Sequence, residues 1–512
     1  MDTKNGMISR RGLLTTGVVA AGSAALVSKS APIAGQAPAV VTARRFRGWV
    51  TRGGGTNRTT LQELTLRPVT GRQLVVRTEA TNLCYSNVGS VLGLQGNAGG
   101  PGGAGAPRGG QAPGGRGLGP GGAGAGARGF VAAGQGGAPA GAGRGGPGAG
   151  QAGARGGGGG FGGGGRALIQ GHGGVGIVEA VGPDVRRVQV GDRVCVSGTP
   201  QCGSCYQCLR GRSDMCQFLM YQTDLFPIAD MSDGTPVFAN SLIGGLAELM
   251  VTNEEWVVPI FTKATAADLG MVCSCVAVAG LGATTSPNLA LVQPASTVAV
   301  VGCGPLGLSA IQGARIAGAS TIIAIDPIRA RRELALKVGA THAIDPNNDG
   351  NVIQLVRDLS KGPNNRLWSG GRESAGALGN LLGGAGPDFV IEAAGADAVT
   401  PRLEPSPDPT GILALQQAYQ MCSAGGHIVT TSLPRGNITL SAALFAIGGR
   451  THHAGQAGGS NPMRDIPRYV EMLDRKQFDS KSLATTVVPI EGMIEAYEQV
   501  AYRTTVTAIM TA

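Results

Sequence analysis

Residues 297–326 read TVAVVGCGPLGLSAIQGARIAGASTIIAID, and this stretch decides the fold. Thr297-Val298-Ala299-Val300-Val301 is a continuous run suited to a strand covered on both faces. It leads at once into Gly302-Cys303-Gly304-Pro305-Leu306-Gly307, followed by a helical pattern through Ala317. A second apolar run, 321–325, ends at Asp326, 19 positions after the last glycine. The pattern G-x-G-x-x-G is weak alone; between a strand and a helix, with an acid at that distance, it is a dinucleotide fingerprint. Gly302, Gly304 and Gly307, with Leu306 in the same turn, let the backbone approach a pyrophosphate at a helix N-terminus, where amides and the helix dipole favour negative charge. Asp326 is placed to accept hydrogen bonds from the adenosine ribose and to repel a 2′-phosphate, which predicts NAD over NADP. Arg329 and Arg331 soften that preference, since either can reach a phosphate.

Outward from this unit, residues 387–392 and 426–431 fit two further strands of the same parallel sheet. Residues 466–473 and 490–502 read as amphipathic helices and 507–510 as a closing strand. Residues 366–386 and 401–410 are Gly- or Pro-rich and read as surface loops. Upstream the pattern is β-rich over 64–69, 73–79, 177–181, 193–195 and 247–258, which predicts a small barrel-like domain.

From that domain hangs PQCGSCYQCLRGRSDMC, residues 200–216. Cys202, Cys205, Cys208 and Cys216 are spaced C-x2-C-x2-C-x7-C, so four thiolates can converge on one tetrahedral zinc. A pair of disulfides is the competing reading, but bridging Cys205 to a neighbour three residues away needs a strained turn. Four thiolates leave the metal no open position, so this lobe contributes folding energy and not chemistry.

A chain of 512 residues has room for two or three cores, yet 89 glycines and 4% aromatic residues mean that part of it does not pack. The glycines concentrate in residues 96–166, a segment predicted to be a disordered insert because it buries too little apolar surface to offset its ordering entropy. The formal charge of +10 lies mostly there and in the leader: Arg108, Arg116, Arg128, Arg144, Arg155 and Arg166 stand in the insert with no acid. The rest is nearly neutral, which argues against a basic nucleic-acid groove. An RNA role for the Arg-Gly-Gly triplets has only Phe130 and Phe161 for base stacking. At the N-terminus, Ser9-Arg10-Arg11-Gly12-Leu13-Leu14 precedes a weakly apolar run and the small-residue site Ala37-Pro38-Ala39, a pattern similar to a twin-arginine export signal over 1–39. Export of a folded protein lets cytoplasmic zinc loading precede exposure to an oxidising periplasm.

Together these pieces resemble a zinc-dependent medium-chain alcohol dehydrogenase. The resemblance rests on Gly191-Asp192-Arg193-Val194 leading to Cys202-Gly203, on the four-cysteine lobe, on Gly171-His172 before Gly176-Ile177-Val178-Glu179, and on the fingerprint. It implies an α/β protein, with a Rossmann doubly wound parallel sheet plus a barrel-like β-rich (GroES-like) catalytic domain. The implied division is catalytic domain 40–285, NAD-binding domain 286–450, and a return to the catalytic domain over 451–512. It further implies hydride transfer between an alcohol or aldehyde and NAD, two zinc ions per chain, and a homodimer or homotetramer. Carried onto this sequence, the catalytic zinc ligands fall on Cys84, His172 and Cys275. Cys275 is preferred to Cys273 because it lies five residues before Gly280-Leu281-Gly282. Two thiolates and one imidazole leave a fourth position for a substrate oxygen. Ser86 is placed to take the alcohol proton.

Four positions depart from the family pattern. Asn87 stands for an aspartate, Gly173 for the glutamate of Gly-His-Glu, Gly89 for a relay histidine and Thr507 for an arginine against the pyrophosphate. They motivate an alternative: a non-catalytic or tightly cofactor-bound zinc and nucleotide binding protein of the same fold. An exported dehydrogenase meets little free NAD, which also favours a tightly held cofactor.

Overall fold

The computed structural model describes residues 44–52, 58–94, 166–218, 226–273, 275–361 and 386–512. The twin-arginine leader, the glycine-rich insert up to Gly165 and most of the loop at 366–386 lie outside the described residues.

Ten strands come first: β1 (Arg45–Thr51), β2 (Thr59–Leu66), β3 (Gln73–Asn82), β4 (Ala167–Ile169), β5 (Gly174–Val181), β6 (Arg193–Val196), β7 (Pro227–Met231), β8 (Pro236–Ala239), β9 (Leu249–Asn253) and β10 (Val257–Pro259). Five close into a barrel in the order β1-β2-β7-β8-β4. Alternation along β1 sends Phe46 inward between exposed arginines, and Phe46, Leu64, Ile169 and Val237 fill one core. Each such side chain removed from water contributes about 1.5–3 kcal/mol. A second sheet of seven strands begins β10-β6-β5-β3, with β9 also pairing with β3.

Helices α1 (Ala266–Cys273) and α2 (Cys275–Thr285) then lead into the second domain. Its strands are β11 (Thr297–Val301), β12 (Thr321–Ile325), β13 (His342–Ile344), β14 (Phe389–Glu392), β15 (His427–Thr430) and β16 (Thr451–Ala454). All pair in parallel, in the order β13-β12-β11-β14-β15-β16, so the strand order reverses between β11 and β14. A reversal of that kind opens a crevice at the carboxyl ends of the strands. Helix α3 (Pro305–Ile316) follows β11 and α4 (Arg329–Val338) follows β12. All five residues of β11 are buried, as its apolar run predicts for a central strand.

The last strand of this sheet falls past residue 450, because Thr451-His452-His453-Ala454 pairs with β15. That strand is too short and polar to announce itself by apolar alternation; its backbone pairing and the His453 ring against His427 hold it. After α5 (Pro462–Asp474), β17 (Ala484–Pro489) and β18 (Thr507–Thr511) return to the first domain, β18 pairing with β3. Between them lies α6 (Met493–Ala501), and the Trp49 indole donates to the Ile490 carbonyl at 2.8 Å.

Residues 396–411, part of which reads as a surface loop, contain no helix or strand yet touch both domains. They run from the end of β14 across the carboxyl edge of the parallel sheet.

Candidate active site

Cys84 follows the end of β3 and precedes a single 3-10 turn, Tyr85–Asn87. His172 lies between β4 and β5, and Cys275 opens α2. These three residues, 103 and 191 positions apart, are brought together: Cys84 Sγ lies 3.3 Å and His172 Nε2 3.0 Å from Cys275 Sγ. Their ligand atoms all fall within 4.8 Å of one another. Two thiols and one imidazole, mostly buried and free of any disulfide, fit a zinc ion with one open position.

The electrostatics point the same way. A hydrogen bond from Cys275, together with the His172 charge and the Ser86 hydroxyl, holds the Cys84 thiol well below its usual range against the opposing effect of burial. Cys275 is pushed up by its bond to Cys84 and by burial, so one thiolate and one thiol share the site. Burial works against a charged His172, but the Cys84 thiolate outweighs it and raises the imidazole. A negative group at this spot seeks a cation.

Around the cluster, His172 Nδ1 lies 2.7 Å from Asn87 Oδ1, so the amide at the aspartate position still orients the ring. Ser86 is exposed, and its hydroxyl donates to Cys84 Sγ at 3.3 Å. Gly173 offers its carbonyl to the Thr81 hydroxyl, and the space beside Gly89 is open for 4 Å. Behind the cluster, Tyr497 of α6 is fully buried and its hydroxyl has no hydrogen-bond partner among the described residues. Burial first, then the charges of Cys84 and Cys275, push this phenol well above its usual range.

Cys202, Cys205, Cys208 and Cys216 form the second cluster, also within 4.8 Å of one another and without a disulfide. Backbone amides point at the sulfurs: Cys205 N donates to Cys202 Sγ at 3.3 Å, and Cys208 N and Gln217 N donate to Cys205 Sγ at 3.5 and 3.4 Å. Burial opposes ionisation of Cys205, but these amides win and bring its thiol down to about 6. Burial pushes Cys216 up. Amides aimed at sulfur suit a thiolate and not a disulfide.

The fingerprint lies at the crevice between β11 and β14. Gly302 has φ +91°, and a Cβ on Gly307 would stand 1.8 Å from the Gly302 carbonyl oxygen, so the turn admits only glycine there. Gly304 caps α3, and Leu306 is its second residue. Asp326 accepts from Cys303 N at 2.7 Å and Ile328 N at 2.8 Å, which ties the turn to the end of β12. Each carboxylate oxygen keeps a lone pair for a ribose hydroxyl. Arg331 is 9% exposed, with Nη1 3.8 Å from where a Gly304 Cβ would be. Thr507, at the missing arginine position, is buried and accepts from Asn82 Nδ2 at 3.2 Å.

Three features were not read from sequence. Cys195 and Cys273 form a disulfide joining β6 to the end of α1, two residues before Cys275. Tyr85, between Cys84 and Ser86, accepts from Ala398 N in the 396–411 segment. Arg503 pairs with Asp397, both nearly buried. Only the two cysteines carried a signal, an apolar context for each; their pairing is a matter of spatial approach.

Two families of known proteins match this chain. The family described as "Alcohol dehydrogenase GroES-like domain" matches residues 158–262, and "Zinc-binding dehydrogenase" matches 305–404. The chain is 30% identical over 320 residues to alcohol dehydrogenase-like 6 of Arabidopsis thaliana, covering 60% of this chain and 72% of that one. It is 28% identical over 335 residues to alcohol dehydrogenase 6 of Peromyscus maniculatus, covering 65% and 79%. Among solved structures, an alcohol dehydrogenase zinc-binding domain protein from Burkholderia ambifaria superposes with TM-score 0.65 at 22% identity, covering 91% of this chain and 99% of the other.

Proposed function

The chain belongs to the zinc-dependent medium-chain alcohol dehydrogenase family, and from that premise we propose that Cys84, His172 and Cys275 hold the metal at which an alcohol and its aldehyde are interconverted, with residues 302–307 and Asp326 holding NAD. The protein is a zinc-dependent alcohol dehydrogenase-like oxidoreductase. The observation that carries the site assignment is the convergence of one imidazole and two thiols from three distant parts of the chain.

Zinc, when bound, supplies a Lewis acid that lowers the pKa of an alcohol hydroxyl. The chain's own groups do the rest. Asn87 accepts from His172 Nδ1, which leaves Nε2 as the ligand nitrogen. Ser86, exposed beside Cys84, takes the alcohol proton and hands it to solvent. Asp326 orients the adenosine ribose and disfavours a 2′-phosphate. Metal analysis joined to an alcohol-dependent absorbance change at the nicotinamide band tests the reading. His172→Ala should abolish the absorbance change while the four-cysteine metal remains; unchanged turnover would refute the assignment.

A non-catalytic zinc and nucleotide binding protein is the second reading, favoured by the open space beside Gly89 and by Gly173. It predicts metal without turnover in the same assay. Export through the twin-arginine machinery to the periplasm is also proposed, supported by residues 9–14 and by the Cys195–Cys273 disulfide, a bond that suits an oxidising compartment. Assembly as a homodimer or homotetramer is supported by the position of β16 as the edge strand of its sheet among the described residues.

A further inference from the structure

Residues 396–411 form a strap whose contacts span the crevice. At one end the Tyr85 hydroxyl accepts from Ala398 N at 2.9 Å and Val399 N at 3.4 Å, two residues of the second domain bonded to a residue beside Cys84. Arg402 donates its amide to the Tyr502 carbonyl at 3.2 Å and lays its guanidinium 3.8 Å from the centre of the Tyr502 ring. Asp397 pairs with Arg503, and Ser406 Oγ accepts from Arg503 Nη1 at 3.0 Å. At the other end, Glu404 accepts from Arg329 N at 3.3 Å, the first residue of α4, and the Pro405 carbonyl accepts from Asn347 Nδ2 at 3.0 Å. One segment is thus bolted to the catalytic domain and to the adenosine side of the dinucleotide fold.

Two further observations concern this place. Arg331 lies next to Gly304, is nine-tenths buried, and its guanidinium has no hydrogen bond or ion pair with any described residue. No described group accepts a hydrogen bond from its guanidinium N–H groups, so they can bind an anion. Asp326 places its charge nearby but makes no hydrogen bond to the guanidinium; its oxygens accept from the amides of Cys303 and Ile328. Arg503 adopts φ +60°, a left-handed conformation uncommon for a residue with a side chain, and so is held in place against the strap by its surroundings.

We propose that residues 396–411 are a retaining strap: the dinucleotide's diphosphate lies between residues 302–307 and Arg331, beneath a segment fastened to both domains by Tyr85, Arg503 and Arg402, so the nucleotide stays with the protein between turnovers. This rests on the reading that the fingerprint binds a nicotinamide dinucleotide, and it names the residues that turn binding into retention. The parts act together because a nucleotide leaving the crevice must break the strap's contacts with one domain.

The test uses the full chain. Purified protein is passed through gel filtration without added nucleotide, denatured, and its released NAD(H) or NADP(H) counted; dissociation of added labelled NAD is followed in parallel. The wild type should carry close to one nucleotide per chain. Tyr85→Phe, which removes only the accepting hydroxyl, combined with Arg402→Ala should speed dissociation at least tenfold, with the melting temperature showing that the fold persists. Asp397→Asn gives a second route to the same loosening. If the wild type binds added NAD but releases it as fast as the variants, the strap proposal is overturned. If it takes up no dinucleotide at millimolar concentration, the nucleotide reading itself falls, and the proposal with it.

Discussion

Asn87 Oδ1 stands 2.7 Å from His172 Nδ1, on the side of the ring away from Cys275. An amide oxygen accepts a hydrogen bond from Nδ1–H but draws less charge than a carboxylate, so it fixes the ring without making it strongly basic. Asn87→Leu should lower zinc affinity at the Cys84 site by about 10–100-fold. Asn87→Asp should keep or tighten it. Competitive chelator titration reads both, and equal affinity in all three proteins would show that the contact has no role.

The two clusters should come apart under mutation. Cys84→Ala or Cys275→Ala is expected to remove one of two zinc ions and all alcohol-dependent turnover, with little change in melting temperature. Cys205→Ala or Cys208→Ala is expected to remove the other and to lower the melting temperature sharply, because closed tetrahedral sites contribute folding energy. Metal counting with calorimetry distinguishes the two patterns.

Thiol titration of the unreduced protein after unfolding in chelator should find eight free thiols among ten cysteines. Ten would exclude the Cys195–Cys273 bond. The double change Cys195→Ser with Cys273→Ser opens a loop of 78 residues and should cost about 4 kcal/mol of stability by chain entropy. It should also weaken zinc binding at Cys275, whose position follows directly from the end of α1.

Glu392, fully buried at the end of β14, accepts from Ala394 N at 2.9 Å, Gly395 N at 3.2 Å and the Ser432 hydroxyl. Burial outweighs these bonds and raises its carboxyl above the usual range. The folded protein therefore holds this proton more tightly than the unfolded chain. Its contribution to stability is fully present below the ordinary carboxyl pKa and is lost as pH rises through the folded value. Glu392→Gln should flatten the fall in stability as pH rises above the ordinary carboxyl pKa of about 4.3. Chemical denaturation across that range checks it, and an unchanged slope would mean that Glu392 does not titrate there.

Much of the candidate site was legible because it is local. The four lobe cysteines lie within 15 residues, the fingerprint within six, and Asp326 at a set distance from it. The ligands Cys84, His172 and Cys275 came only through resemblance, since nothing local links residues separated by 103 and 191 positions. The departures at Asn87 and Thr507 were visible, but their consequences were not. Asn87 keeps the histidine contact, while the cation beside Gly304 is Arg331, and Arg503 pairs with Asp397.

The amino-acid order alone determined the parallel sheet, the nucleotide turn and the metal-binding lobe, because each depends on periodicity or short spacing that the chain carries within itself. Tertiary structure alone decided that residues 396–411 bridge the domains, that Cys195 meets Cys273, and that Arg331 is buried near Asp326 with no hydrogen bond to its guanidinium among the described residues. These depend on the packing of segments far apart in the chain, where contact is set by how two domains dock and not by any local preference.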